Sequence, residues 1–195
     1  MQNFGVARNC YVPMATYASL TEPLSEEHRE EFKIGSEFGL LASSENGATL
    51  RLTRDGRLFV RNKFTYAPGK PPGRDTVEMC AKLHREAMLA RWPQFKSVAF
   101  DHSWGGIMAF TTNNGAVFGE IEPNLYAVLT NDVSPMTRGA ATGRLLAEYM
   151  EDCDSQLLTS VLSMPTARRL PPRPILDLGV AWRLRTMQRA GAEEF

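Results

Sequence analysis

The amino-acid sequence predicts an α+β fold: a mostly antiparallel β-sheet with flanking helices, followed by a strand-and-helix unit and a helical tail. Three observations predict it. Asp55-Gly56 stands between two β-prone runs, 48–53 and 57–61, which is the chemistry of a tight hairpin. Further β-prone runs at 98–104, 107–110, 116–121 and 125–129 are separated by the turn formers Gly105-Gly106, Asn113-Asn114-Gly115 and Glu122-Pro123-Asn124. Helical spacing is confined to a few stretches, so the regular strand–helix alternation of a doubly wound parallel sheet is missing. The expected organisation is a sheet with helices over 1–123, a strand and helix over 124–152 and a helical tail over 153–195.

Taken in order, 11–20 reads as a strand with Val12, Met14, Thr16, Ala18 and Leu20 on one side. Ser25, followed by Glu26 and Glu27, is an N-cap with acidic first-turn residues and starts a short helix to Phe32. The stretch 34–47 contains Gly and Ser and reads as irregular. After the hairpin, the Pro- and Gly-rich 68–73 is a loop, and Asp75 is expected to cap a helix over 76–91. Its stripe is Cys80, Leu83, Ala87 and Ala90, and Trp92-Pro93 ends it. A second long helix spans 135–150, with Ser134 as N-cap, Pro135 at N1 and Ala141, Leu145 and Tyr149 on one stripe. An amphipathic segment at 157–162 and a basic helix over 175–189 follow.

Composition excludes several functions. Across 195 residues, 22 Lys+Arg balance 22 Asp+Glu, so no global field favours nucleic acid or an anionic membrane surface. No apolar run reaches the roughly 18 residues of a membrane span, and the first residues lack the order of a signal peptide. The expectation is a cytoplasmic chain. Cys10, Cys80 and Cys153 are odd in number and far apart, which points to reduced thiols and gives no metal-ligand spacing.

Individual motifs carry little. Asp101-His102-Ser103 holds the residue types of a hydrolase triad, but neighbours on a strand point to opposite faces. Cys80 and His84 share a helix face without a second ligand pair, so a structural thiol and a surface histidine are expected. Gly139 and Gly143 have the spacing of a close helix contact and predict tight packing against a sheet. In the last helix, Arg183, Arg185 and Arg189 beside Trp182, Leu184 and Met187 predict a helix that closes over the domain with its charges solvated. Neither a phosphate-binding glycine loop nor a nucleophile elbow occurs, and no residue is assigned a catalytic role.

Three stretches change this picture together. Residues 11–27, from Tyr11-Val-Pro-Met to Ser-Glu-Glu27, the hairpin Leu50-Arg-Leu-Thr-Arg-Asp-Gly-Arg-Leu-Phe59, and 104–119, beginning Trp104-Gly-Gly-Ile-Met, follow one another in a characteristic order. The order continues through 124–129 and the helix ending Gly143-Arg-Leu-Leu-Ala-Glu148. Together they resemble the second half of D-amino-acid-oxidase-like FAD-dependent oxidoreductases, in particular the gamma-glutamylputrescine oxidase type. The resemblance covers most of 11–150.

The resemblance implies a sheet over 11–121 that covers a flavin and shapes a substrate pocket, and a strand and helix over 124–150 that return to a dinucleotide-binding domain. It implies oxidation of an amine carbon by FAD, chemistry that belongs to the cofactor. The implied substrate pocket is Trp104, Gly105, Met108 and Phe110, with Arg51 and Tyr66 from the hairpin sheet. Asp132, Val133, Ser134, Pro135 and Met136 are implied to face the flavin. Three departures stand out. The N-terminal βαβ half with its glycine-rich pyrophosphate turn is missing. Val133 and Pro135 stand where the family has glycines, and proline offers no N–H donor. No arginine follows the Trp104-Gly105 pair to hold an α-carboxylate, so a small amine lacking that group is the expected substrate. The expected function is the substrate-domain part of an amine or amino-acid oxidoreductase, inactive alone and dependent on an FAD-binding partner chain or self-association. The alternative is a flavin-free binding or assembly module. A missing half also implies an exposed apolar surface over 125–150.

Overall fold

The computed structural model describes residues 5–32, 37–43, 47–130 and 135–190. Strands are β1 (Val12–Pro23), β2 (Phe38–Leu41), β3 (Thr49–Leu52), β4 (Arg57–Tyr66), β5 (Phe100–Phe110), β6 (Val117–Glu122) and β7 (Leu125–Leu129). Helices are α1 (Glu26–Glu30), α2 (Arg74–Arg91), α3 (Pro135–Met150), α4 (Gln156–Leu162) and α5 (Arg173–Ala190), with a 3-10 turn at Pro93–Ser97. The chain divides into two compact units, one of Met14–Ile107 with Asp177–Phe195, the other of Met1–Pro13 with Met108–Leu176.

In the first unit a five-stranded sheet runs in the order β2-β3-β4-β1-β5. The β3–β4 hairpin turns at Asp55-Gly56 as expected, because Gly56 takes φ +75° without a Cβ penalty. Ser25 caps α1 by accepting from the His28 N–H. Residues 34–47, expected to be irregular, contain the strand β2, which forms because Phe38 pairs with Leu52 over the core. The loop-to-helix junction also differs: the N-cap is Gly73, and Asp75 lies in the first turn, where its charge faces the positive helix end. Gly105-Gly106 was expected as a break, yet β5 runs straight through it. Gly105 is needed there for close approach, since a Cβ would sit 3.0 Å from Pro72 Cγ and 3.2 Å from Tyr17 Cδ1.

One sheet face is sealed by α2. Leu52, Leu58 and Val60 join Met88, Phe95, Val98, Leu24 and Phe32 in the main core. On α2 the buried positions are Cys80, His84 and Met88, so the packed stripe is rotated from the expected Cys80, Leu83, Ala87 and Ala90. On β1 the positions facing it are Ala15, Tyr17, Ser19 and Thr21, while Val12, Met14 and Ala18 of the other side are buried as well. Their hydroxyls are satisfied: Thr21 Oγ1 accepts from the Leu58 N–H at 2.9 Å, and Tyr17 Oη shares a 2.7 Å bond with Thr65 Oγ1.

The β1–β4 register shifts twice, between Leu20 and Pro23 of β1 and at Lys63 of β4. Thr16 pairs with Phe64 but Tyr17 pairs with Asn62, which leaves Lys63 as a bulge residue at φ +63°. Before the bulge, Leu58, Val60 and Asn62 face α2; after it, Phe64 and Tyr66 face away. Asn62 pays for this placement. Only 1% exposed, its side-chain oxygen and nitrogen both lack a hydrogen-bond partner. Asn62→Leu is therefore expected to raise stability by about 1–2 kcal/mol, the desolvation cost of an unpaired amide, read as a higher urea midpoint at unchanged m.

In the second unit β6 and β7 form an antiparallel hairpin. Tyr11 Oη donates to the Leu129 carbonyl at 2.7 Å, and the Ala116 N–H donates to the Pro165 carbonyl at 2.9 Å. Helix α4 is capped by Ser155, whose Oγ accepts from the Leu158 N–H. The buried face of α3 is Thr142 and Leu145, with Tyr149 half-buried against Phe118 and Tyr126. Ala141, expected on that stripe, is exposed; Thr142 takes its place because its hydroxyl donates back to the Arg138 carbonyl at 2.7 Å.

Candidate functional site

The face of the five-stranded sheet turned away from α2 is built by alternation. Leu50 and Leu52 of β3 point into the core, so Arg51 between them points outward, opposite Phe59 of β4. Phe59 lies 5.9 Å, ring centroid to ring centroid, from Trp104 of β5, a residue that is 43% exposed. Two residues along β4, Arg61 stands opposite Thr49, and its Nε and Nη2 donate to Thr49 Oγ1 at 3.2 and 2.7 Å. The Arg61 guanidinium also lies 5.5 Å from the Phe64 ring centroid, a contact that the Lys63 bulge makes possible. Burial pushes the Arg61 pKa below the ordinary arginine value. Tyr66, beyond the bulge, donates to Asp177 Oδ1 of α5 at 2.8 Å.

The structure thus brings Arg51, Trp104 and Tyr66 to one sheet face. Gly105 faces the other side, against Pro72 and Tyr17. Met108 and Phe110 are half-buried and belong to the other compact unit. Sequence reading missed Phe59, Arg61 and Phe64; the alternation Arg57-Phe59-Arg61 opposite Leu58 and Val60 is the signal that marks the first two.

Residues 132–134 of the flavin-facing set lie outside the described residues. Pro135 opens α3, and Met136 is 85% exposed. Gly139 and Gly143 do not pack tightly as expected: a Cβ at either would meet nothing within 4 Å. Among the described residues of 125–150, Leu125 and Met150 are also exposed.

Behind the sheet, Ser19 Oγ shares 2.8 Å hydrogen bonds with both His84 Nδ1 and Ser103 Oγ. His84 is fully buried, contrary to the surface position expected, because Ser19 satisfies one ring nitrogen; Nε2 has no partner. Burial pushes the His84 pKa down to about 4, so the ring is neutral at pH 7. Asp101 pairs with Arg57 at 2.6 Å and Ser103 with Ser19, so Asp101-His102-Ser103 does not converge. Among the described residues no three His, Cys, Asp or Glu side chains group to hold a metal, and no helix is long and apolar enough to cross a membrane. In α5, Trp182 is 68% exposed while Leu184 and Met187 are half-buried.

Comparison with known proteins matches residues 3–149 to the family described as FAD dependent oxidoreductase (DAO). The gamma-glutamylputrescine oxidoreductase of Escherichia coli (strain K12) is 29% identical over 115 residues, 59% of this chain and 25% of that protein. Among solved structures, glycine oxidase from Geobacillus kaustophilus superposes with a TM-score of 0.58 at 16% identity, covering 83% of this chain and 40% of that one. L-Proline dehydrogenase from P. horikoshii gives 0.56 at 17% identity, covering 78% and 39%. The chain therefore spans a quarter of the curated relative's length and two-fifths of these solved chains.

Proposed function

Because the chain belongs to the DAO family of FAD-dependent oxidoreductases, we propose that it supplies the substrate-domain part of an amine- or amino-acid-oxidising flavoenzyme and works with a partner chain that holds the dinucleotide. The observation that carries this reading is the unpacked side of α3, with Gly139 and Gly143 open and Met136 exposed. In this proposal β7 and α3 are the elements that dock on the FAD-binding part. The three cysteines, free thiols in the structure, suit a reduced cytoplasmic setting.

For FAD, the described residues fit as a cover and not as a cradle. Trp104 and Phe59, their rings tilted 47° to each other, offer an apolar wall, while the glycine-rich strand-to-helix turn that would hold a pyrophosphate does not occur in these residues. Bound FAD would supply the hydride acceptor. This chain's aromatic side chains would exclude water from the substrate side, and the exposed Trp104 ring suits the charge of an alkylammonium group.

The test is purification of the full chain from its native cells with whatever it carries along, followed by gel filtration and visible spectroscopy. The chain by itself is expected to stay colourless with added FAD, and the complex to carry the flavin bands. Gly139→Arg with Gly143→Arg should lower flavin-containing complex about ten-fold or more. Both replacements favour helix, so loss of complex would not reflect unfolding. A chain that purifies alone and colourless, or a variant that retains full flavin, overturns the proposal.

A further inference from the structure

We propose that Arg61 is the anchor of a carboxylate-binding site on the outward face of the sheet, and that the ligand is a small amine carrying its carboxylate several bonds from the nitrogen. This rests on the reading that the Trp104 face is the substrate side. Arg29, Arg54, Arg57, Arg74 and Arg144 each have a carboxylate within ion-pair distance. Arg54, Arg74 and Arg144 are highly exposed and need one least. Arg61 is half-buried and has no carboxylate partner among the described residues. Burying a cation without a counter-charge is unfavourable, and an arriving anion offsets it.

The geometry favours a planar anion. Thr49 Oγ1 takes the Nε and Nη2 donors, and the Phe64 ring lies against the guanidinium, so its orientation is fixed before a ligand arrives. Nη1 has no hydrogen-bond acceptor and is not sealed from solvent. The Nη1 and Nη2 end of the fork is then free to donate two parallel bonds to the two oxygens of a carboxylate. Exposed Arg51, on the same face of the neighbouring strand, adds positive potential. The spacing sets the ligand class. Phe59, which touches Trp104, is two residues from Arg61, about 7 Å along the strand, and Trp104 itself is on β5, two strands from β4 and about 10 Å across the sheet. An amine at Trp104 and a carboxylate at Arg61 therefore belong to a molecule with several bonds between them, which agrees with the lack of an arginine after Trp104-Gly105.

Calorimetric titration of the full chain with 8-aminooctanoate, long enough to reach from Trp104 to Arg61, its neutral amide 8-aminooctanamide and inorganic phosphate tests this without flavin. The acid is expected to bind saturably and about ten-fold or more tighter than the amide. Arg61→Met should abolish that preference, and Arg61→Lys should keep only part of it because the fork is lost. If Arg61→Met fails to fold by circular dichroism, Thr49→Val, which unties the guanidinium, should weaken the acid about three-fold or more. Equal binding of acid and amide, tighter binding of phosphate, or an unchanged preference in Arg61→Met or Thr49→Val overturns the proposal. Because no flavin is involved, such a failure leaves the flavoenzyme reading to its own test, and a colourless complex leaves this titration unaffected.

Discussion

Phe95→Ala is expected to destabilise the protein by about 4 kcal/mol, through lost apolar burial and the cavity left behind. Phe95 is 0% exposed and stands on the 3-10 turn that follows α2. Its ring is 5.7 Å from those of Trp92 and Phe32 and 4.9 Å from the His28 ring. It also belongs to the cluster that joins β3 and β4 to α2. No neighbour can collapse into the space, since Phe32 and Trp92 are already fixed against each other at 5.1 Å. Against a total of about 5–15 kcal/mol for an ordinary domain, that loss moves the urea midpoint sharply. A loss under about 1.5 kcal/mol would show that this cluster is not the organising core.

Acidification is expected to cost about 3 kcal/mol through His84 alone. Its folded pKa is pushed down by burial to about 4, against an ordinary 6.5. The unfolded chain binds a proton as pH falls through 6.5, and the folded chain does so only near pH 4. The His84 contribution is therefore intact above pH 6.5 and is lost progressively down to about pH 4. Asp55 acts in a separate window. The Thr53 hydroxyl, foremost, and Arg57 hold its carboxyl below the ordinary 3.8, so its contribution is lost only under that value. Urea melts of the wild type and His84→Gln between pH 7 and pH 4 separate the two. The variant should lose the slope above pH 4, and a slope that persists unchanged would assign it elsewhere.

Features set by local chemistry were legible in the sequence. Asp55-Gly56 writes its own turn, Ser25 caps its own helix, and the order of the β6–β7 hairpin follows from Pro123-Asn124 between apolar runs. Features set by a partner far along the chain were not. His84 reads as polar and therefore outward, until Ser19, 65 residues earlier, accounts for its ring nitrogen. Gly105 reads as a strand break, because nothing nearby in sequence shows that Pro72 and Tyr17 crowd it. Gly139 and Gly143 read as packed, since spacing reports that a close contact is possible and not which surface makes it. Arg51, Trp104 and Tyr66 could be gathered from the family pattern, whereas Arg61 gains meaning only from what it lacks.

The bulge at Lys63 makes β4 a strand of two phases, serving the core with one half and the outer wall with the other. Length at this point is thus equivalent to polarity. Deleting Lys63 would restore strict alternation, turn Phe64 and Tyr66 toward α2, and strip the guanidinium of its aromatic support. Within the family, a gain or loss of one residue between Asn62 and Phe64 would exchange inside for outside along the end of the strand, altering the ligand wall in one step that no point substitution could match.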